Sequence, residues 1–69
     1  MSTSIASRMR KIREARGLSR AEVARRLKTT RMRVWRLENE ATAIVADDLP
    51  AIARAIKTTV AALLGLEAP

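Results

Sequence analysis

Residues 19–39 contain two helix-start signals, at Ser19 and at Thr30, and the short spacing between them strongly limits the possible folds. Ser19 is followed three residues later by Glu22, which is the spacing of a capping box at a helix N-terminus. Apolar residues then follow at the spacing of a helix that buries one face: Val23, Ala24 and Leu27. Polar residues 28–30 interrupt the pattern, and Thr30 can cap a second helix through its hydroxyl. The segment therefore predicts two short helices joined by a tight turn.

The second of these helices is predicted to have a basic outer face. Val34 and Leu37 are placed toward the core by the helical period. The residues on the other sides are mostly cationic: Arg31, Met32, Arg33 and Arg36. A short helix with a cationic first turn, braced by a preceding helix, has the shape of an element that enters the major groove of DNA.

These two helices resemble the helix-turn-helix of the lambdoid phage repressor and Cro family, which is also found in many small bacterial regulators. The pattern AEVARRLKTT…V.RLEN carries the resemblance, because helix caps, core positions and turn fall in register together. The flanking segments SRMRKIREARGLS and LPAIARAIKTTVAALLG are similar to the first helix and the last two helices of the family, so the resemblance covers about residues 5–66. It implies an all-α, five-helix, lambda-repressor-like domain. It also implies sequence-specific binding to double-stranded operator DNA and regulation of transcription, in a phage or mobile element.

The resemblance also implies roles for individual positions. The residues that match base contacts of the family are Arg31, Met32, Arg33 and Arg36, and those that match phosphate contacts are Arg20, Thr30 and Asn39. The chemistry agrees, since arginine forms paired bonds with guanine O6 and N7, and a thioether suits a thymine methyl group. Arg33 could bind a phosphate instead.

Arg13 is expected on the flank of the buried stripe of the first helix. In the resembled family, an arginine at this position pairs with the glutamate that falls at Glu38. The resemblance therefore implies a partly buried Arg13–Glu38 salt bridge. Removing one partner of such a pair costs far more than removing a surface ion pair. A DNA contact by Arg13 is the alternative.

Trp35 is the only aromatic residue of the chain. A tryptophan in so small a domain usually packs, so we expect a partly buried side chain that supports its helix, with contact to DNA or to a partner as the alternative. Lys28 lies in the turn, where members of the resembled family commonly have glycine. If the backbone there has a positive φ, Lys28 is strained by about 1 kcal/mol.

Positive charge is concentrated in the N-terminal half. Residues 1–38 carry a balance of +9 and residues 39–69 carry −2, which gives the formal net charge of +7. Eleven of the fourteen cationic residues are arginine, whose planar guanidinium suits paired contacts with phosphate or guanine. This distribution favours a polyanionic partner. A solvated helix face is the alternative, and a GC-rich genome would also raise the arginine content.

Length and composition argue against several other classes. The 69 residues, 1–69, are expected to form one small domain, with a loose tail at residues 1–4. Neither cysteine nor histidine is present, which removes disulfides, the most common general base and the most common nitrogen ligand of metals. We therefore expect no enzymatic activity, no cofactor and no metal. The N-terminus lacks the apolar core of a signal peptide, and no apolar run approaches the ~20 residues that span a bilayer, so we expect a soluble cytoplasmic protein without a membrane partner.

Residues 40–48 depart from the resembled family, whose loop is usually polar and often has a glycine and a basic residue. Here the loop is acidic, with apolar residues 43–46 in its middle. Ile44, Val45 or both are expected to plug the core beneath the loop. Alternatively they form an apolar patch that, with Leu66, supports a weak homodimer or one formed only on DNA. The rival function is a protein-binding module, such as an antitoxin or a polymerase-contacting regulator, that uses the 43–46 loop and the C-terminal helix.

Single residues predict the remaining helix ends. Gly17 ends the first helix, because glycine accepts the left-handed conformation of a C-cap. The other predicted signals are N-caps at Ser4 or Thr3, at Asp47 or Asp48 and at Thr58 or Thr59, with Pro50 in a first turn and Gly65 as a stop. The outer side of the first helix is expected to carry Arg8, Arg10, Lys11 and Arg16.

Overall fold

The computed structural model describes residues 4–40 and 42–68. This part of the chain contains five α-helices: α1 Ile5–Ala15, α2 Arg20–Leu27, α3 Arg31–Asn39, α4 Leu49–Ala55 and α5 Val60–Leu63. A 3-10 turn at Ala46–Asp48 leads directly into α4. The prediction of an all-α, five-helix fold is confirmed. The predictions of a loose tail before Ser4 and of a cap at Thr3 concern residues outside the described ones.

The helices pack around one core and leave one side of α3 uncovered. α3 packs against α1 and α2, while α4 packs against α2 and α5, and α5 also contacts α1. The largest fully buried side chains come from all five helices and the residue after α4: Met9, Val23, Val34, Ile52, Ile56 and Leu63. No helix within residues 4–40 and 42–68 has the length and apolar character needed to cross a bilayer.

Four helices begin where the hydroxyl signals place them. Each cap hydroxyl accepts from the backbone N–H three residues later, at Ser4, Ser19, Thr30 and Thr59. Ser19 also completes the predicted capping box, since its backbone N–H donates to Glu22 Oε1 at 3.2 Å. This backbone bond, followed by the bond from the Ser19 hydroxyl, lowers the pKa of Glu22 below its ordinary value of 4.5.

Four residues near helix ends have a left-handed backbone. Gly17 has φ +69° after α1 and Gly65 has φ +78° after α5, so both predicted stops are confirmed. Lys28 has φ +56°, which fulfils the condition for strain at this position. Lys57, which the sequence analysis did not single out, has φ +59°. A side chain with a Cβ in this region costs about 1 kcal/mol or more.

Two local predictions are wrong. The side chain of Asp48 does not cap α4, although Asp48 is the N-cap residue. Its backbone is held in the right-handed helical region (φ −82°, ψ −18°) by the preceding 3-10 turn, whereas the hydroxyl caps are all extended. Arg8 is not on a free outer side of α1, because α5 packs there and Arg8 Nε donates to the Leu63 carbonyl at 2.6 Å.

Candidate nucleic-acid interface

The outer side of α3 is exposed to solvent. Its buried residues are Val34, Leu37 and Glu38, which follow the helical period and face α1 and α2. The exposed ones are Arg31, Met32, Arg33, Trp35, Arg36 and Asn39. All four residues that match base contacts therefore lie together on one exposed helix surface. The cap at Thr30 fixes where this surface begins.

The arginines of α3 differ in how much they are held by the protein. Within residues 4–40 and 42–68, the side chains of Arg31 and Arg36 have neither a hydrogen bond nor an ion pair. Arg33 Nη2 lies 3.8 Å from Asp48 Oδ2, with side chains 56% and 38% exposed. A pair at this distance and exposure contributes little. The donors of Arg31 and Arg36 are therefore available to a ligand.

Trp35 is less buried than expected, because the residue is 45% exposed. One residue is about 100° of helix rotation, which carries Trp35 off the face that Val34 and Glu38 bury. Trp35 instead lines an open groove of about 810 Å³ between the start of α2 and the outer side of α3. The complete lining is Arg13, Ser19, Arg20, Ala21, Arg31, Met32 and Trp35.

Glu38 joins α3 to α1 and to the start of α2. Arg13 Nε donates to Glu38 Oε2 at 2.5 Å, and Arg13 Nη2 donates to Oε1 at 3.2 Å. Arg20 Nε donates to the same Oε1 at 3.1 Å. Arg13 Nη1 completes the arrangement with a bond to the Leu18 carbonyl at 2.8 Å. The structure thus brings Arg13 and Glu38 together, with side chains 9% and 0% exposed, and adds a second arginine that the sequence analysis did not connect to them.

The residues that match phosphate contacts lie at the edges of this surface. The side chain of Arg20 is 37% exposed, and its Nε is occupied by Glu38. Thr30 Oγ1 accepts from Arg33 N at 3.1 Å, and Asn39 Nδ2 donates to the Trp35 carbonyl at 2.8 Å. Each residue therefore has an internal bond that orients it. No three acidic side chains in the described part of the chain are close enough to hold a metal ion.

Comparison with known families agrees with this geometry, since the helix-turn-helix domain family matches residues 4–65. The chain belongs to the helix-turn-helix domain family. This is a DNA-binding family, so the domain has a DNA-binding fold with α2 and α3 as its helix-turn-helix. No curated protein and no solved structure matches the chain.

Three arginines of this helix-turn-helix domain donate to carbonyls of the C-terminal part. Arg8 Nε bonds the Leu63 carbonyl at 2.6 Å, Arg26 Nη1 bonds the Ala55 carbonyl at 2.9 Å, and Arg16 Nε bonds the Lys57 carbonyl at 3.3 Å. The last carbonyls of a helix lack intrahelical partners, which explains why Ala55 and Leu63 serve as acceptors. The sequence analysis missed these bonds, because residues 29 to 55 positions apart leave no local spacing signal. Part of the basic half is therefore engaged inside the domain.

In the loop after α3, the two residues expected to plug the core differ in burial. Ile44 is partly buried and packs against the core, as does Ala43. Val45 is 54% exposed, and Leu66 beyond α5 is 77% exposed. Of Ile44 and Val45, Ile44 therefore acts as the plug beneath the loop of the helix-turn-helix domain, whereas Val45 and Leu66 are accessible.

Proposed function

We propose that the protein is a sequence-specific transcriptional regulator that binds double-stranded operator DNA with α3 in the major groove. The observation that carries this proposal is the outer side of α3, where Arg31 and Arg36 are exposed and their side chains have no partner among the described residues. The resemblance to lambdoid phage repressor and Cro proteins favours a repressor of a phage or mobile element. Its place of action is then the cytoplasm of a bacterial or phage-infected cell.

Four side chains contact bases in this proposal: Arg31, Met32, Arg33 and Arg36. Arg31 and Arg36 each donate two bonds to guanine O6 and N7, the most common specific contact in the major groove. Met32, which is 62% exposed, contacts a thymine methyl group. Arg33 exchanges its weak ion pair with Asp48 for a base or a phosphate, which costs little because that pair is exposed.

Three side chains contact phosphates: Arg20, Thr30 and Asn39. The bond from Arg20 Nε to Glu38 fixes the direction of the guanidinium, and the terminal nitrogens of Arg20 remain as donors. Thr30 accepts a backbone N–H and still has its hydroxyl hydrogen to donate. Asn39 uses one amide hydrogen on the Trp35 carbonyl and has a second one free for a phosphate oxygen.

Selection of bound duplexes from a random pool tests the proposed function. The expected result is an enriched motif that contains guanines, bound about 10³-fold or more tightly than random duplex at the same salt concentration. Binding that does not distinguish the enriched duplex from random duplex would reduce the protein to a non-specific DNA-binding protein. Absence of binding to any duplex would overturn the proposal.

We further propose that two copies associate weakly and pair on two-fold DNA sites. Val45 and Leu66 offer exposed apolar surface, and Ile44 lies beside Val45. An interface built on these few side chains is expected to be below the ~1,200 Å² of a stable complex. Changing Ile44 and Val45 to serine, or Leu66 to aspartate, should therefore weaken binding to a full site with half-sites ~34 Å apart much more than binding to one half-site. A tight dimer in ultracentrifugation without DNA would contradict weak association.

The exposure of Val45 and Leu66 also favours a second candidate function. A protein-binding module, such as an antitoxin or a polymerase-contacting regulator, would use the 43–46 loop and the C-terminal helix against another protein. Duplex selection separates the two candidates. Binding of a co-expressed protein through Val45 and Leu66, without binding to any duplex, would favour the module.

A further inference from the structure

Two large apolar side chains lie among the arginines of α3. Met32 is 62% exposed and Trp35 is 45% exposed. They are three residues apart, which makes them neighbours on the helix surface. Val34 and Leu37 already supply the buried apolar face of α3. The fold therefore does not require Met32 and Trp35 in order to close its core.

The surroundings of this apolar pair indicate its ligand. Met32 and Trp35 line the groove of about 810 Å³ together with the cationic Arg20 and Arg31. An apolar surface bordered by guanidinium groups complements a ligand that has an anionic backbone and apolar groups between its charged strands. Duplex DNA has this character. The base edges in the major groove present hydrogen-bonding groups and one apolar group, the C5-methyl of thymine.

We propose that Trp35 is a specificity-determining residue that forms, with Met32, an apolar site for the C5-methyl group of thymine. This inference rests on the proposed function, because it requires α3 in the major groove. The thioether of Met32 is flexible and adapts to many surfaces, whereas the indole is rigid and fixes where a methyl group can lie. Trp35 thus fixes the position of a methyl group that the flexible Met32 side chain alone would not fix.

The geometry of α3 also places this thymine relative to the guanines. A helix rises about 1.5 Å per residue, so Trp35 lies within about 6 Å of both Arg31 and Arg36 along the helix axis. Base pairs of duplex DNA are stacked about 3.4 Å apart. The thymine is therefore expected within about two base pairs of a guanine contacted by Arg31 or Arg36.

Deoxyuridine substitution tests the inference, because it removes only the C5-methyl group. The enriched duplex is prepared with each thymine replaced in turn by deoxyuridine. Wild-type protein should bind about fourfold more weakly at one or two positions, the factor expected for burial of one methyl group. Trp35→Ala and Met32→Ala should each bind the thymine and deoxyuridine duplexes equally. Arg36→Ala is the matched control, since it should bind both duplexes more weakly and keep the wild-type ratio between them.

A second measurement reports on Trp35 without any mutation. Trp35 is the only tryptophan, so all indole fluorescence comes from this site. The enriched duplex should reduce acrylamide quenching of this fluorescence at least twofold. Thermal melts of Trp35→Ala and Met32→Ala verify that the variants remain folded, which their exposure leads us to expect.

The outcomes separate this inference from the proposed function. Tight binding to the enriched duplex without sensitivity to any thymine methyl group would overturn the inference and leave the proposed function intact. A methyl preference that persists in Trp35→Ala, or a fluorescence that stays fully accessible to acrylamide, would do the same. Failure to enrich any duplex would overturn both.

Discussion

Two turns of this protein share sequence and geometry but lead into helices of different kinds. Residues 24–31, ARRLKTTR, join α2 to α3, and residues 53–60, ARAIKTTV, join α4 to α5. In the first turn the lysine has φ +56°, and in the second it has φ +59°. The backbone N–H that follows each lysine donates to a carbonyl five residues earlier, at 2.9 Å in both turns. The last threonine then caps the next helix in each case.

The difference lies in the helices that begin after these caps. α3 has nine residues and presents arginines outward, whereas α5 has four residues and buries Ala62 and Leu63. α3 is also held by a buried carboxylate, Glu38, while the nearest carboxylate beyond α5 is the exposed Glu67, which accepts from the Thr59 hydroxyl. The same local turn therefore sets the direction of a helix, and the residues after it decide whether that helix can meet DNA or fills the core.

The largest expected effect concerns the carboxylate that holds α3. Glu38→Ala should lower the free energy of unfolding by about 3–5 kcal/mol, because Arg13 is left with a buried, unpaired charge. Urea unfolding measures the loss. The variant that combines Arg13→Ala with Glu38→Ala should lose less than the two single variants added together.

Glu67→Ala is the matched control at the second helix pair. Its side chain is exposed, so the expected change in unfolding free energy is within about 0.5 kcal/mol. Losses for Arg13→Ala and Glu38→Ala that are additive and below about 0.5 kcal/mol each would contradict the role of Glu38, since both side chains would then contribute no more than solvated ones.

The next largest effect is on DNA affinity, and it should differ between two exposed arginines, Arg36 and Arg54. Arg36→Ala should cost ~1–3 kcal/mol of binding free energy on the enriched duplex and relax the preference at one base pair. Arg54→Ala should change neither, because Arg54 is also exposed but lies in the last turn of α4. Titrations of both variants against enriched and random duplexes measure the difference. Equal weakening of Arg36→Ala on the two duplexes would instead make Arg36 a phosphate contact.

The sequence was sufficient to predict where the helices begin and end. It was not sufficient to predict the contacts between residues far apart in the chain. Caps and stops depend on residues three or four positions apart, so Ser19, Thr30 and Gly17 could be placed from spacing alone. Lys57 escaped notice, although residues 56–59 repeat the pattern of residues 27–30 with one apolar exchange. A comparison of the two segments would have predicted its positive φ.

The bonds of arginines to the C-terminal part could not be predicted, because they depend on how helices meet. Arg8, Arg16 and Arg26 donate to carbonyls in the C-terminal part, so charge counted along the sequence overstates the charge that is free for a ligand. The burial of Trp35 was overestimated for a related reason. Tryptophan residues usually pack in a core, which led to the expectation of burial. In α3, however, Trp35 is rotated by about 100° from the buried Val34 and therefore points outward.

The two cap threonines offer a matched test of a phosphate contact. Thr30→Ala and Thr59→Ala should each lower the free energy of unfolding by about 1 kcal/mol, because each hydroxyl accepts one backbone N–H at a helix start. Only Thr30→Ala should also weaken DNA binding beyond this loss of stability. Affinity is measured at a temperature where both variants remain folded. Equal affinities of the two variants would remove Thr30 from the phosphate contacts.

The smallest expected effect has the opposite sign and concerns the two left-handed lysines. Lys28→Gly and Lys57→Gly should each raise the free energy of unfolding by up to about 1 kcal/mol, because glycine has no Cβ to clash at φ +56° or +59°. Both side chains are exposed, so their removal should itself cost little. The bond from Arg16 Nε is kept in the Lys57→Gly variant, since its acceptor is the backbone carbonyl of residue 57 and not the lysine side chain.

Alanine at the same positions separates relief of strain from loss of the lysine side chain. Lys28→Ala and Lys57→Ala retain a Cβ and should therefore have about the wild-type stability, so the gain belongs to glycine alone. The two gains should be similar and should add in the double glycine variant if the two turns are equivalent. Thermal or urea unfolding of the five variants decides this. A glycine variant no more stable than its alanine counterpart would show that the left-handed lysine is not strained, and a gain at only one turn would show that the shared sequence hides different local energetics.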